Sequence, residues 1–252
     1  MSAPTYVSLP DAAQKALFRR ILERSEDKSR SRAPVIVFDL DGTLMDNRPR
    51  TLAILKALGQ SWKTRAPKHA EALAKATVDS LAYLVKDSVA NLGVTEPELI
   101  AEAETFWKER FFTDDALSHD VAIAGAVEFA RAAYERGAML VYFTGRDLPF
   151  MGVGSFRSLR DLGFPIGVVG AELVLKPEFS IPDETFKRME VSRLERRGEI
   201  IATFDNEPGN CNIFATTQPQ AENVFMDTQH LPGAPALGPD VKIIKDFAFA
   251  LE

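Results

Sequence analysis

Short apolar segments recur along the chain, and each is followed at once by polar residues. Unbroken runs of this kind, rich in β-branched side chains, are typical of strands buried on both faces of a parallel sheet. They predict strands at residues 35–38, 138–143, 200–204, 224–226 and 241–244, with further strands near Val168 and Leu173.

Between these segments the apolar residues recur at helical spacing. The pattern predicts helices at 123–136, 155–162 and 184–197. An earlier helix is predicted at 11–24 with Asp11 as its N-cap, and the polar residues after it are typical of a linker. Because strands alternate with helices, the sequence predicts an α/β fold with a Rossmann-like, doubly wound parallel sheet.

Residues 47–118 interrupt this alternation, because they contain no convincing strand. Helical spacing runs through residues 73–92. The spacing of Thr95 and Glu98 is that of a capping box and predicts a further helix after it. We therefore predict an N-terminal helix and linker at 1–32, an α/β core at 33–46 and 119–252, and an α-helical insertion at 47–118.

Composition argues against several classes of partner. The formal net charge is -6 and no block of Lys and Arg stands apart from acidic residues, so we expect no nucleic-acid partner and no electrostatic attachment to a membrane. Cys211 is the single cysteine, which excludes an intramolecular disulfide and a thiolate metal cluster. No stretch approaches the roughly 18 apolar residues that span a bilayer. We expect a cytoplasmic protein, and the sequence indicates no oligomeric state.

Two carboxylates follow the first predicted strand, in the segment Val37-Phe38-Asp39-Leu40-Asp41-Gly42-Thr43-Leu44. Residues two apart in extended chain project to the same side, so Asp39 and Asp41 can converge. They lie at the carboxyl end of a buried strand, where open α/β sheets bind ligands. Carboxylates this close repel each other unless a cation or a shared proton intervenes, and Mg²⁺ prefers such oxygen ligands. The segment therefore predicts a magnesium site.

Polar residues also follow two later strands of the predicted sheet. Thr144, Gly145 and Arg146 come after the strand at 138–143. Asp205 follows the strand at 200–204. Since the carboxyl ends of parallel strands share one edge of the sheet, we expect these residues to lie near Asp39.

The segment at Asp39 resembles the first motif of the haloacid dehalogenase-like (HAD) superfamily, an apolar strand that ends in Asp-x-Asp-Gly-Thr. The resemblance implies that Asp39 is the nucleophile and a metal ligand. It implies that Asp41 is the general acid/base and binds the metal through its carbonyl oxygen. Thr144 matches the second motif, a hydroxyl that holds a phosphoryl oxygen, and Asp205 matches the distal metal-binding acid. The candidate substrate-binding residues are Thr43, Gly145, Arg146 and Arg48, with Arg50 as a further candidate.

The motif lysine and the last motif leave alternatives open. Lys176 ends a predicted strand, whereas Lys187 opens a helix that Asp183 is expected to cap, and Lys187 fits the superfamily pattern better. After Asp205 the chain departs from the common pattern, in which a second Asp follows directly or four to five positions later. Asn206 or Glu207 is a candidate to complete the outer shell.

The resemblance implies a magnesium-dependent phosphohydrolase that acts on a small phosphorylated metabolite through an aspartyl-phosphate. It also implies that residues 47–118 form a helical cap of the C1 type over the active site. A haloacid dehalogenase needs no leaving-group acid, so Asp41 argues against that alternative. A phosphomutase is compatible with a helical cap, and the altered last motif keeps a non-catalytic binding protein as a further alternative.

Overall fold

The computed structural model describes residues 6–248. Its strands, in chain order, are β1 (Pro34–Phe38), β2 (Met45–Asp46), β3 (Val121–Ala122), β4 (Met139–Asp147), β5 (Ala171–Lys176), β6 (Glu199–Asp205), β7 (Glu222–Met226) and β8 (Lys242–Ile244). Six of them form one parallel sheet in the order β5-β4-β1-β6-β7-β8. The chain adds strands on one side of β1 and then on the other, so the predicted doubly wound α/β fold is confirmed. The reversal places a ligand-binding crevice at the carboxyl end of β1.

The helices are α1 (Asp11–Glu26), α2 (Arg48–Trp62), α3 (Pro67–Lys75), α4 (Val85–Asn91), α5 (Pro97–Phe111), α6 (Ala126–Glu135), α7 (Leu148–Leu162), α8 (Asp183–Leu194) and α9 (Pro208–Thr217). Two 3-10 turns lie at Val78–Ser80 and Ala116–His119. No helix within residues 6–248 is both long and apolar enough to cross a membrane.

Strand β1 is apolar throughout because both of its faces are covered. Ile36 and Phe38 point into a core that α1 and α6 complete, where Phe38 stacks on Phe204 with ring centroids 5.1 Å apart. Val35 and Val37 alternate with them and point into a second core with residues of α8 and α9. This period of two explains why the strand reads as an unbroken apolar run.

Helices α2 to α5 pack around a third apolar cluster of their own. Trp62 and Leu58 of α2 are fully buried there against Leu73 of α3 and Val89 of α4. At the base of these helices, β2 and β3 pair as a short antiparallel ribbon, in which Met45 faces Ala122. The sequence did not predict this ribbon, because strands of two residues carry no periodic signal.

Helical spacing through residues 73–92 does not produce one helix. Helix α3 ends at Lys75, and Thr77 and Ser80 cap the following 3-10 turn reciprocally. Leu81 and Leu84 then adopt extended backbone conformations, although Leu81 still joins the third apolar cluster. Burial of apolar residues, and not a continuous helix, accounts for the spacing.

Three predicted helix caps and one predicted strand were also wrong. Pro10 precedes α1 and Asp11 lies inside its first turn, while Pro182 occupies the corresponding position before Asp183 in α8. Helix α5 begins after Glu96 without a side-chain cap, so Thr95 forms no capping box. Val168 lies outside every strand.

Candidate active site

Asp39 and Asp205 meet at the carboxyl edge of the sheet. The register pairs Phe38 of β1 with Phe204 of β6, so the next residue of each strand lies at the same level. The Asp39 N–H donates to the Phe204 carbonyl oxygen at 2.9 Å, which continues the ladder to the edge. Both aspartates are buried, with 6% and 1% of their surface exposed.

Lys187 bridges these two carboxylates. Its Nζ donates to Asp39 Oδ1 at 2.7 Å and to Asp205 Oδ2 at 2.6 Å. Burial alone would lower the pKa of Lys187, but the carboxylates of Asp205 and Asp39 outweigh it and raise that pKa. The competing candidate Lys176 donates instead to Asp183 Oδ1 at 2.7 Å. The structure therefore brings Lys187, and not Lys176, to Asp39.

The cluster contains too little positive charge for its carboxylates. Burial raises the pKa of Asp39 to about 7; Lys187 opposes this rise, and the Asp205 carboxylate adds to it. Burial likewise raises the pKa of Glu207 to about 7. Carboxylates destabilised in this way would be stabilised by an added cation.

The Asp41 carboxylate is held by a group that we call the arginine clamp, formed by Arg50, Arg146 and Asp120. Arg50 Nη2 donates to Asp41 Oδ1 at 2.7 Å, and Arg146 donates from Nε to Oδ2 at 2.6 Å and from Nη2 to Oδ1 at 3.0 Å. Asn47 Nδ2 adds a contact to Oδ1 at 3.2 Å. Burial opposes ionisation of Asp41, but Arg146 and Arg50 outweigh it and hold its pKa below the ordinary value.

The predicted substrate-binding arginines are both engaged by protein carboxylates. Arg146 is buried, and its three nitrogens contact Asp41, Asp120, Ser155 and Met45. It therefore has no free fork for a phosphate, because its donors are used by Asp41 and Asp120. Arg48 pairs with Asp46, with Nη2 and Oδ2 2.7 Å apart, and remains partly exposed. Arg48 lines the cavity described below, but its donors also face a carboxylate.

The predicted hydroxyl residues Thr43 and Thr144, and the predicted glycine Gly145, lie in the part of the site that contains Asp39. Thr43 Oγ1 donates to Asp39 Oδ2 at 3.2 Å. Thr144 is buried, and its Oγ1 accepts from the Arg146 N–H at 3.2 Å. A side chain at Gly145 would meet the Asp183 carboxylate, with its Cβ only 2.3 Å from Oδ2, so the absence of a Cβ permits this close approach. Thr144 and Gly145 line one cavity together with Asp39.

The unusual residues after Asp205 hold that carboxylate. Asn210 Nδ2 donates to Asp205 Oδ1 at 3.1 Å, and the Glu207 N–H donates to the same oxygen at 2.9 Å. The Glu207 carboxylate accepts from the Leu231 N–H and from the Tyr83 hydroxyl. Asn206 Nδ2 donates to the Gln229 carbonyl oxygen at 2.7 Å. Asparagine at position 210 thus orients Asp205 without adding negative charge.

A cavity of about 1130 Å³ lies between these strand ends and the inserted helices. Ten acidic and five basic residues line it, so its lining carries an excess of negative charge. The facing wall is aromatic: Trp107 stacks on Phe111 with ring centroids 4.3 Å apart and contacts Phe112 edge-on at 5.6 Å. Trp107 also packs against the apolar cluster of the inserted helices, and this wall was not predicted from the sequence.

Sequence reasoning also missed two members of the arginine clamp. Arg50 appeared only as a possible substrate contact, and Asp120 was not singled out. Arg50 lies nine residues after Asp41 and Asp120 lies across the whole insertion, so no motif spacing marks either one. Only the fold brings them together.

The oxygen atoms of this site fit a hard divalent cation. Within residues 6–248 no group of three or more His, Cys, Asp or Glu side chains could hold a metal ion. Mg²⁺ does not require such a cage, because it commonly uses one or two carboxylates and takes its other ligands from water and substrate phosphate. Asp39 and Asp205 already share one cation, the Lys187 ammonium. The two carboxylates supply donors of the required chemistry.

Comparisons with known proteins agree with this architecture. A family model for haloacid dehalogenase-like hydrolases matches residues 33–178. A "putative phosphatase" from Clostridium difficile superposes with a TM-score of 0.53 at 13% identity, covering 83% of this chain and 93% of that chain. A haloacid dehalogenase-like family hydrolase from Streptococcus pneumoniae gives a TM-score of 0.51 at 12% identity, covering 84% and 93%. A search of curated proteins found no match to the sequence. At these identities the two structures share the fold.

Proposed function

This chain belongs to the haloacid dehalogenase-like hydrolase family, and we propose that it is a magnesium-dependent phosphatase that hydrolyses a small phosphorylated substrate through an aspartyl-phosphate at Asp39. The observation that carries the proposal is the buried contact of Asp39 and Asp205 with one ammonium group, at the carboxyl edge of the sheet. Thr144 and the anionic cavity lie beside this contact.

The proposed reaction has two steps. An oxygen of Asp39 attacks phosphorus as the bond to the leaving group breaks and the leaving oxygen takes a proton from Asp41, while Lys187 and Thr144 bind phosphoryl oxygens. Water then attacks phosphorus and loses a proton to Asp41, and the carboxylate of Asp39 is released. The Mg²⁺ ion, held by Asp39, Asp205 and the Asp41 carbonyl, would neutralise charge on the phosphoryl group. The lowered pKa of Asp41 favours its role as the base of the second step over its role as the acid of the first.

We further propose that residues 47–118 act as the cap. Two contacts that support this role join the segment to the core across the cavity: Gln229 Nε2 donates to the Leu81 carbonyl oxygen at 2.8 Å, and the Tyr83 hydroxyl donates to Glu207. Closure of such a segment would exclude water from the phosphoryl group during the first step.

Removal of metal is the first test. We expect hydrolysis of p-nitrophenyl phosphate by the protein to require Mg²⁺, to stop in excess EDTA and to return when Mg²⁺ is restored, because the carboxylates of the site lack sufficient positive charge without it. Phosphate release measures this directly. Activity that survives EDTA would favour dehalogenase chemistry, and binding without turnover of any phosphoester would favour a non-catalytic protein.

The aromatic wall supports a substrate with an uncharged, apolar body. Stacking on Trp107 would favour such a body, whereas the excess of acidic lining residues would repel a second phosphate or a carboxylate. We expect Trp107→Ala to lower kcat/KM for phenyl phosphate about 10-fold, as lost stacking of about 1.5 kcal/mol implies. The value for methyl phosphate, measured in parallel, should change little. Equal losses for both esters would contradict this assignment.

A further inference from the structure

The arginine clamp leaves the Asp41 carboxylate with one free position. An ionised carboxylate offers about four acceptor positions, two on each oxygen. The two positions of Oδ1 are shared by three donors, from Arg50, Arg146 and Asn47, whereas among residues 6–248 Oδ2 accepts from Arg146 Nε alone. The one acceptor position that remains is therefore on Oδ2, and its direction is set by the guanidinium groups around it.

Asp120 keeps these two guanidinium groups in place. It accepts from Arg50 at Oδ1 (2.8 Å) and Oδ2 (2.6 Å), and from Arg146 Nη2 at Oδ2 (2.7 Å). The Asp120 side chain is fully buried, as is that of Arg50. Together with Asp41, the clamp carries two positive and two negative charges and is electrically neutral. Without the charge of Asp120, two buried cations would face one carboxylate, and their mutual repulsion would change the geometry around Asp41.

The clamp also spans both connections between the inserted helices and the sheet. Arg50 lies in the first turn of α2, where the chain enters the insertion, and Asp120 lies just before β3, where the chain returns. The Arg50 guanidinium also lies 4.2 Å from the ring centre of Phe111, at the end of α5. A shift of these helices would therefore be transmitted to the Asp41 carboxylate through groups in direct contact.

We propose that Arg50 and Asp120 are positioning residues, which aim the free acceptor position of Asp41 Oδ2 at the water that hydrolyses the phosphorylated enzyme. The inference rests on the proposed function. In this step the water oxygen bonds to phosphorus and one water proton passes to Oδ2. The bond between phosphorus and Asp39 breaks, and its electron pair returns to the Asp39 carboxylate.

Asp120→Asn tests the proposal, because it removes the charge with the least change of shape. With p-nitrophenyl phosphate, kcat should fall about 10²-fold, the usual contribution of a positioned base. The value of kcat/KM should stay within a few-fold of wild type, since it reports transfer to Asp39 and the departing nitrophenolate needs little proton donation. The phosphorylated enzyme should accumulate, seen as the mass of one added phosphoryl group after rapid acid quench.

Arg50→Lys provides a second variant if Asp120→Asn does not fold. It keeps the positive charge but loses the planar fork, so the same pattern should appear in weaker form. Asp147→Asn is the matched control: Asp147 is equally buried, caps α7 through the Phe150 N–H, and its amide can keep that cap. Neither kinetic constant should change in the control.

Two outcomes would overturn the proposal. If kcat and kcat/KM fall by the same factor without accumulation of phosphorylated enzyme, the clamp only maintains structure. If folded variants keep both constants, Arg50 and Asp120 have no part in the reaction. Failure of the proposed function itself would look different, because the wild-type protein would then release no phosphate.

Discussion

Asp39→Asn is expected to abolish phosphatase activity. An amide cannot attack phosphorus as a carboxylate does, and the variant loses one oxygen ligand for the cation. We expect kcat/KM for p-nitrophenyl phosphate to fall by at least about 10⁴-fold, as observed when other covalent catalysts lose their nucleophile. The phosphorylated enzyme should also be missing from acid-quenched samples.

The same substitution should not destabilise the fold. The pKa of Asp39 is raised to about 7 in the folded protein, so folding is penalised increasingly as pH rises from the ordinary aspartate pKa toward 7. Asparagine carries no such penalty. In the absence of metal, the Tm of Asp39→Asn at pH 8 should therefore equal or exceed that of wild type. At pH 4 the variant should have no higher Tm than wild type.

Asp227→Asn is a suitable control for Asp39→Asn. Asp227 follows β7 and lines the same cavity, but it makes no contact with Lys187 within the described residues. Its variant should retain activity within a few-fold of wild type. Activity retained by Asp39→Asn, or lost equally by Asp227→Asn, would contradict the assignment of Asp39 as nucleophile.

Lys187→Met is the second substitution with a large expected effect, and it should lower both the free energy of unfolding and kcat. The substitution leaves two buried carboxylates facing each other without a counterion, and breaking a buried ion pair costs about 3–5 kcal/mol of the free energy of unfolding. Loss of a preorganised cation at the phosphoryl oxygens should lower kcat by about 10²-fold or more. Denaturant unfolding and steady-state kinetics measure the two effects.

A divalent cation should rescue the stability of this variant. Mg²⁺ between Asp39 and Asp205 would replace part of the missing charge, so the Tm of Lys187→Met should rise more on addition of Mg²⁺ than that of wild type. Lys176→Met is the matched control, since Lys176 is also buried and ion-paired, with Asp183. It should lose stability without gaining a metal response or losing comparable activity.

The parallel sheet was predictable from sequence because its strands are buried on both faces. The run at Pro34–Phe38 is apolar at each position, and Phe38 and Val37 belong to different cores. Such a run leaves few alternatives to a central strand. The convergence of Asp39 and Asp205 follows from parallel topology alone, since both residues end adjacent strands.

The arginine clamp was not predictable in this way. Asp120 and Arg50 are 70 residues apart, and both are charged residues, a class that is mostly exposed in folded proteins. Their burial depends on how α2 and the returning chain meet above β1. Periodicity also failed to reveal that the helix is interrupted between Lys75 and Val85. Leu81 lies in extended backbone there, yet it is buried in the apolar cluster just as a helical residue would be.

The separate apolar cluster of α2 to α5 has an evolutionary consequence. Because Trp62 and Leu58 are buried among the inserted helices and not against the sheet, mutations that reshape the wall around Trp107 need not disturb the packing of Phe38 or the strand end that follows it. New substrate preferences could therefore arise by change in the insertion alone. Such change would be constrained at Arg50, which belongs both to α2 and to the clamp and pairs with Asp41, and at Phe111 of α5, whose ring contacts the Arg50 guanidinium.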